Sequence, residues 1–172
     1  MKTNKILVLI HDQAEDLELW YPVYRIREEG YMVQMASEER GMLFKGKHGV
    51  PYASDISWND VQATDYDGLL IPGGWAPDKM RRFERVKELV RDFDAAGKPI
   101  GQICHAGLVT ISAGIMNGVK VTSTLGIRDD FENAGAIWIN EPVVVDENIV
   151  SSRKPEDLTQ YMVAFIKLLE GH

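Results

Sequence analysis

The chain has 172 residues, 45% of them hydrophobic, with a net charge of −7 and a pI near 5.1. That size suits a single domain over residues 1–172 with a substantial core. An acidic balance without any Lys/Arg run argues against nucleic acid and anionic membrane surfaces as partners.

Met1-Lys2-Thr3-Asn4-Lys5 and the apolar run Ile6–Ile10 superficially resemble a secretion signal. The run is short, His11, Asp12, Glu15 and Asp16 follow at once, and no cleavage region is present, so it reads as a first strand. No stretch approaches the length of a membrane span. A helix is expected from Asp16 to Gly30, with Leu17, Trp20, Val23, Tyr24 and Arg27 at helical spacing. Tyr31–Ala36 is the second strand. Gly41–Ser54, rich in glycine and containing Pro51, predicts a hairpin or loop excursion. Asp67–Ile71 is a buried strand ended by Pro72-Gly73-Gly74. Phe83, Val86, Leu89, Val90 and Phe93 mark an amphipathic helix closed by Gly97-Lys98-Pro99.

Lys98 to Gly114 then reads as a strand, a sharp turn at Cys104-His105 and a small-residue helix. A strand near Val119–Ser123 and a short acidic helix near Ile127–Ala134 follow. Val143–Val145 and Ile149–Ser152 flank the turn Asp146-Glu147-Asn148. The last helix carries Pro155 in its first turn and buries Leu158, Tyr161, Met162, Phe165, Leu168 and Leu169. Alternating strands and helices with short joins predict an α/β sandwich with a mostly parallel sheet, whose ligands bind beyond the carboxyl ends of the strands. The loops after Ile10, Ile71 and Ile103 converge on that edge.

Cys104, the only cysteine, cannot form an internal disulfide, which fits a cytoplasmic location. A strand–turn–helix elbow lifts its side chain out at the top of the sheet and points a helix N-terminus at it. Cysteines are commonly buried and inert, but a polar histidine at a strand-to-helix junction favours a nucleophile. The helix end, with a hydrogen bond from a protonated Glu18, predicts a thiolate with a pKa below the free-thiol value of ~8.5. Pro22 removes the partner of the Glu18 carbonyl and is expected to bend the helix start, leaving Glu18 on an irregular first turn. Glu15 and Asp16 read as dipole-complementing acids; Glu18 fits that role or a hydrogen bond to sulfur equally. Gly73 and Gly74 could offer N–H groups to an oxyanion, although Pro-Gly-Gly is often only a turn. Asp78, at a helix start, reads by default as a cap. Of the other histidines, neither His48 nor His172 is an obvious partner for the sulfur. His11-Asp12 with distant His48 does not make a metal site, and neither metal nor cofactor is expected.

Glu15-Asp16-Leu17-Glu18-Leu19 with Tyr21-Pro22, Gly46-Lys47-His48-Gly49, Leu70-Ile71-Pro72-Gly73-Gly74, Ala76-Pro77, Ile103-Cys104-His105, Ile111-Ser112-Ala113-Gly114 and Val150-Ser151-Ser152-Arg153 together resemble the PfpI/ThiJ superfamily, most closely its PfpI branch. The resemblance covers nearly the whole chain and implies a flavodoxin-like fold. It implies Cys104 as nucleophile, Glu18 as the acid touching it and His105 as its partner, with Asp78 supplied by a neighbouring subunit of a homodimer or hexamer. Glu15, Trp75 and Thr124 are expected to line the substrate pocket. Three departures stand out. Asp78 replaces the usual Glu, Trp75 replaces an Arg, removing a cation from the pocket rim, and Thr124 stands where relatives carry Tyr or His. Ala106-Gly107 also replaces the usual Gly-Pro. The resemblance implies activity on small carbonyl compounds or on modified proteins and peptides, as a glutathione-independent glyoxalase or deglycase. The alternatives are an intracellular cysteine peptidase and a redox-sensing or chaperone stress protein. A glutaminase is disfavoured because no second histidine is suitably placed.

Overall fold

The computed structural model describes residues 2–171; Met1 and His172, and with His172 the reading that it is no obvious partner for Cys104, lie outside the described residues. The chain runs through β1 (Lys5–Leu9), α1 (Asp16–Glu28), β2 (Met32–Ser37), a hairpin of β3 (Leu43–Lys45) and β4 (Pro51–Ala53), and β5 (Ile56–Ser57). Then come β6 (Gly68–Ile71), α2 (Ala76–Met80), α3 (Glu84–Ala95), β7 (Ile100–Ile103), α4 (Gly107–Ala113) and β8 (Lys120–Val121). The chain closes with α5 (Arg128–Asn133), β9 (Ile137–Trp138), β10 (Val143–Asp146), β11 (Ile149–Ser152) and α6 (Leu158–Gly171).

Seven strands form one sheet in the order β10-β11-β7-β6-β1-β2-β5, parallel except for β10. Continuous burial of β1, β6, β7 and β11 explains their unbroken apolar or small-residue character, because helices cover both faces. α1 packs with α6, and α3 with α4. Strand order steps from β1 outward to β2, then back across β1 to β6, β7 and β11. This is the flavodoxin-like doubly wound order, and its switch point lies between β1 and β6. Registers Leu9 with Ala36, Ile71 with Gln102 and Ile103 with Ser152 align the carboxyl ends, so the loops after β1, β6 and β7 open together.

The expected α1 stripe is corrected by the structure. Of Leu17, Trp20, Val23, Tyr24 and Arg27, only Val23 is fully buried, while Leu17 and Tyr24 are 58% and 56% exposed. The buried face is Glu18, Leu19, Pro22, Val23 and Ile26. Glu15 sets this rotation: its carboxylate caps the helix by accepting from the Glu18 N–H at 3.0 Å, turning Glu18 inward. α1 continues through Pro22, so cap geometry rather than an irregular turn places Glu18. Leu168 is half-buried rather than buried. β5 and the parallel β8–β9 pair, too short to leave a periodic signal, had no counterpart in the expected elements except for the strand near Val119–Ser123.

Candidate active site

Two glycine-dependent contacts bring the loops after β1 and β6 together. Ala14 bridges to Gly74, the Glu15 N–H donates to the Gly73 carbonyl, and the Trp75 N–H donates to the Gln13 carbonyl. Gly74 has φ +75°, and a Cβ there would lie 2.4 Å from the Glu15 nitrogen. A Cβ on Gly73 would lie 2.2 Å from Glu18 Oε2 and 2.7 Å from the Cys104 Cβ. Both positions therefore require glycine, one for its backbone conformation and one for close approach.

The third loop supplies the thiol. Cys104 follows β7 with φ +60°, an uncommon conformation for a side-chain-bearing residue, held at the start of a single helical turn leading into α4. Its Sγ lies 3.2 Å from His105 Nδ1. Backbone N–H groups of Gly74 and His105 and the Glu18 carboxyl also face the sulfur. Glu18 is 2% exposed; Oε2 accepts the Gly73 N–H at 2.9 Å, and Oε1 meets no nitrogen or oxygen partner among the described residues.

Burial, reinforced by the neighbouring Glu15 charge, pushes the Glu18 carboxyl up to about 8, so it holds its proton at neutral pH. Burial, with the Glu18 charge added, pushes the Cys104 thiol up to about 12. The expected low-pKa thiolate is thereby corrected. α4 starts only at Gly107, and the two N–H groups on the sulfur do not offset desolvation. His105 is lowered, first by burial and then by the Lys47 charge, so its ring is neutral at pH 7. The resulting network is neutral: protonated Glu18 can donate to sulfur, and the thiol can donate to His105 Nδ1.

A cavity of about 220 Å³ covers these groups, lined by Glu15, Glu18, Gly74, Trp75, Cys104 and His105, and also by Lys47, His48 and Pro155. Of the expected site residues, Thr124 lines a different hollow, with Trp138, Asn140 and Arg153, instead of this one. The Gly73 N–H is committed to Glu18, leaving those of Gly74 and His105 to meet a reacting oxygen. Asp78 lies on α2, half exposed and paired with Arg82. Within one chain it makes no hydrogen bond to His105.

Besides Pro155, Lys47 and His48 are the cavity residues that reading the sequence left out of the site. Their turn is fastened by Asp16, whose buried carboxylate accepts the N–H groups of His48 at 2.7 Å and Val50 at 2.9 Å, while the Lys47 N–H donates to the Ala14 carbonyl. Asp16 is thus a structural clasp as well as an acid in the first turn of α1. Glu15, Asp16 and His48 bring ligand-type atoms within 4.8 Å of one another, but both Asp16 oxygens and one Glu15 oxygen are already engaged by backbone N–H groups. Among the described residues no helix is long and apolar enough to cross a membrane.

Comparison with known proteins identifies the family. Residues 4–168 match the DJ-1/PfpI family. Deglycase PfpI of Pyrococcus furiosus is 46% identical over 166 residues, covering 96% of this chain and 99% of that protein. YraA of Bacillus subtilis, named only as a candidate cysteine protease, is 40% identical over 98% of this chain and 99% of its own length. Among solved structures, DJ-1beta of Drosophila melanogaster superposes with a TM-score of 0.90 at 26% identity, covering 100% of this chain and 92% of that one. A two-domain protein of Anabaena variabilis, with DJ-1/ThiJ/PfpI-like and ferritin-like domains, gives 0.95 at 32% identity; this chain, covered to 99%, spans 48% of its length. The chain belongs to the DJ-1/PfpI family.

Proposed function

We propose that this protein is a cysteine-dependent enzyme that acts on reactive carbonyls or their adducts, in the manner of a glutathione-independent glyoxalase or deglycase. The observation that carries the reading is the Cys104 elbow: a thiol at φ +60°, 3.2 Å from a neutral imidazole and facing a protonated carboxyl in one cavity. The sulfur attacks an aldehyde carbon as the thiol proton passes to His105 Nδ1. The carbonyl oxygen becomes an oxyanion beside the Gly74 and His105 N–H groups and takes a proton to complete a thiohemiacetal. For a 2-oxoaldehyde, His105, neutral again once its proton has passed to the oxygen, carries the former aldehyde hydrogen as a proton to the neighbouring carbon, which converts the adduct to a thioester. Water then cleaves the thioester, releasing a 2-hydroxy acid and restoring the thiol.

The names of relatives such as Deglycase PfpI support the carbonyl reading. The name of YraA favours a second reading, a peptidase using Cys104, His105 and Asp78. An amide must have its leaving nitrogen protonated, whereas an aldehyde has no leaving group, and in one chain Asp78 is engaged by Arg82. Consumption of methylglyoxal without glutathione, measured beside cleavage of a fluorogenic peptide and repeated with Cys104→Ala, separates the readings. Cysteine-dependent loss of methylglyoxal alone supports the first, and peptide cleavage alone replaces it with the second.

A further inference from the structure

The substitution of Trp75 for a rim arginine does not leave the cavity without a cation. Lys47 sits with its Nζ 5.6 Å from the centroid of the Trp75 ring, and that ring lies 5.6 Å from the His105 ring. Lys47, Trp75 and His105 thus form a continuous row ending at Cys104 Sγ. Lys47 is the only lysine or arginine lining this cavity, and among the described residues its ammonium has no carboxylate within ion-pair distance. Its position is built. Asp16 is nearly fully buried and fastens the turn that carries Lys47 by two backbone hydrogen bonds. Trp75, half exposed, provides a face that attracts an ammonium while leaving its hydrogens free. Of the acids on the same wall, Glu15 adds a negative charge and Glu18 adds none at neutral pH. Glu15 is engaged with the Glu18 N–H and lies 3.5 Å from His48 Nε2, while Glu18 is protonated at neutral pH.

We infer that Lys47, held on Trp75 at the cavity mouth, is a specificity residue that draws carboxylate-bearing electrophiles to Cys104 in preference to neutral ones of the same size. This deepens the carbonyl reading by naming a substrate class: 2-oxoaldehydes, or their adducts, with a carboxylate near the reacting carbon. A unit charge on Lys47 meeting a carboxylate inside a partly desolvated cavity is expected to favour the anion by about tenfold, an advantage that shrinks as salt is added.

The test pairs two reagents of nearly equal shape, iodoacetate and iodoacetamide, each alkylating Cys104 by forming a sulfur–carbon bond as iodide leaves and the thiol proton passes to solvent. Any effect of Lys47 on thiolate population acts on both rates and cancels in their ratio. Intact mass confirms the site of modification. The iodoacetate-to-iodoacetamide rate ratio should fall about tenfold in Lys47→Met, be retained in Lys47→Arg, and decline in the native chain with rising ionic strength. A ratio that changes less than twofold in Lys47→Met overturns the inference, and so does failure of both reagents to reach Cys104. In turnover, kcat/KM for 4,5-dioxopentanoate, a 2-oxoaldehyde that carries a carboxylate, relative to methylglyoxal should move in parallel. A shifted alkylation ratio with neither aldehyde consumed would sink the enzymatic reading while leaving Lys47 as the anion-selecting residue of the pocket.

Discussion

Glu18→Gln offers a direct measurement of the strain held at the site. The amide is nearly isosteric with the protonated acid, its oxygen can still accept the Gly73 N–H, and its NH₂ can still face the sulfur. It differs in having no charge to lose. Glu18 rises from an ordinary 4.5 to about 8 in the folded chain because burial and the Glu15 charge disfavour its anion. The stability associated with protonated Glu18 is therefore complete below about pH 4.5 and is lost as pH rises toward about 8. At about 1.4 kcal/mol per decade of proton affinity, the penalty is about 3 kcal/mol at pH 7 and about 5 kcal/mol above pH 8. Glu18→Gln should thus gain stability relative to the native chain by those amounts as pH is raised from about 4.5. In a domain of this length, the gain at pH 7 corresponds to a Tm higher by about 10 °C. Denaturant unfolding and thermal melts of both proteins at several pH values, kept below the range where Cys104 ionises, measure the difference. Parallel profiles for the two proteins between about pH 5 and 8 would refute the placement of a protonated carboxyl at this position, and with it the neutral network around the sulfur.

Three further outcomes are expected. In Glu18→Gln the Cys104 thiol should titrate at lower pH than in the native chain, because the negative charge that helps hold it up is gone; thiolate absorbance in the far ultraviolet followed against pH reads this, and an unchanged midpoint contradicts it. Gly73→Ala should destabilise the fold by about 1–3 kcal/mol and suppress turnover, since its Cβ must displace Glu18 or Cys104; a variant with native melting and activity would show that the close approach has no consequence. Asp78→Ala should change stability by less than about 1 kcal/mol, its partner being an exposed arginine, as denaturant titration will show. If a second copy supplies Asp78 to His105, mixing inactive Asp78→Ala with inactive Cys104→Ala protein restores turnover, whereas no recovery after verified subunit exchange confines Asp78 to the surface of α2.

The succession of the main strands along the chain and the elbow at Cys104 were legible because each rests on local signals: uninterrupted apolar runs, Pro-Gly-Gly, and a cysteine between a strand and small residues. The rotation of α1 was not. Leu17, Trp20 and Tyr24 make a plausible apolar stripe, with Trp20 and Tyr24 stacked at 5.6 Å on the outer side, yet the buried face carries the carboxyl of Glu18. A buried acid reads as a surface residue until its partners are known, and those partners, Gly73 and Cys104, lie 55 and 86 positions away. Lys47 was hidden for a related reason. Its motif was visible, but its nearness to Trp75 and Cys104 depends on Asp16 fastening one loop and Gly74 admitting another, and no spacing within the chain encodes that meeting. The thiol's pKa was misread because a helix end was weighed without the desolvation that the same close packing imposes.

Each of these contacts also constrains the chemistry. Gly73 lets Glu18 approach the sulfur by leaving out a side chain, while burial and the Glu15 charge keep Glu18 protonated there. A protonated Glu18 adds no charge to the cavity, so the charge of Lys47 is not screened by an anion beside the nucleophile. Were Glu18 ionised at neutral pH, it would repel an incoming carboxylate and offset the cation at the mouth. The protonation of one buried acid therefore links three properties of the pocket: the resting state of Cys104, the donor available to its sulfur, and the sign of the field that a substrate meets on entry.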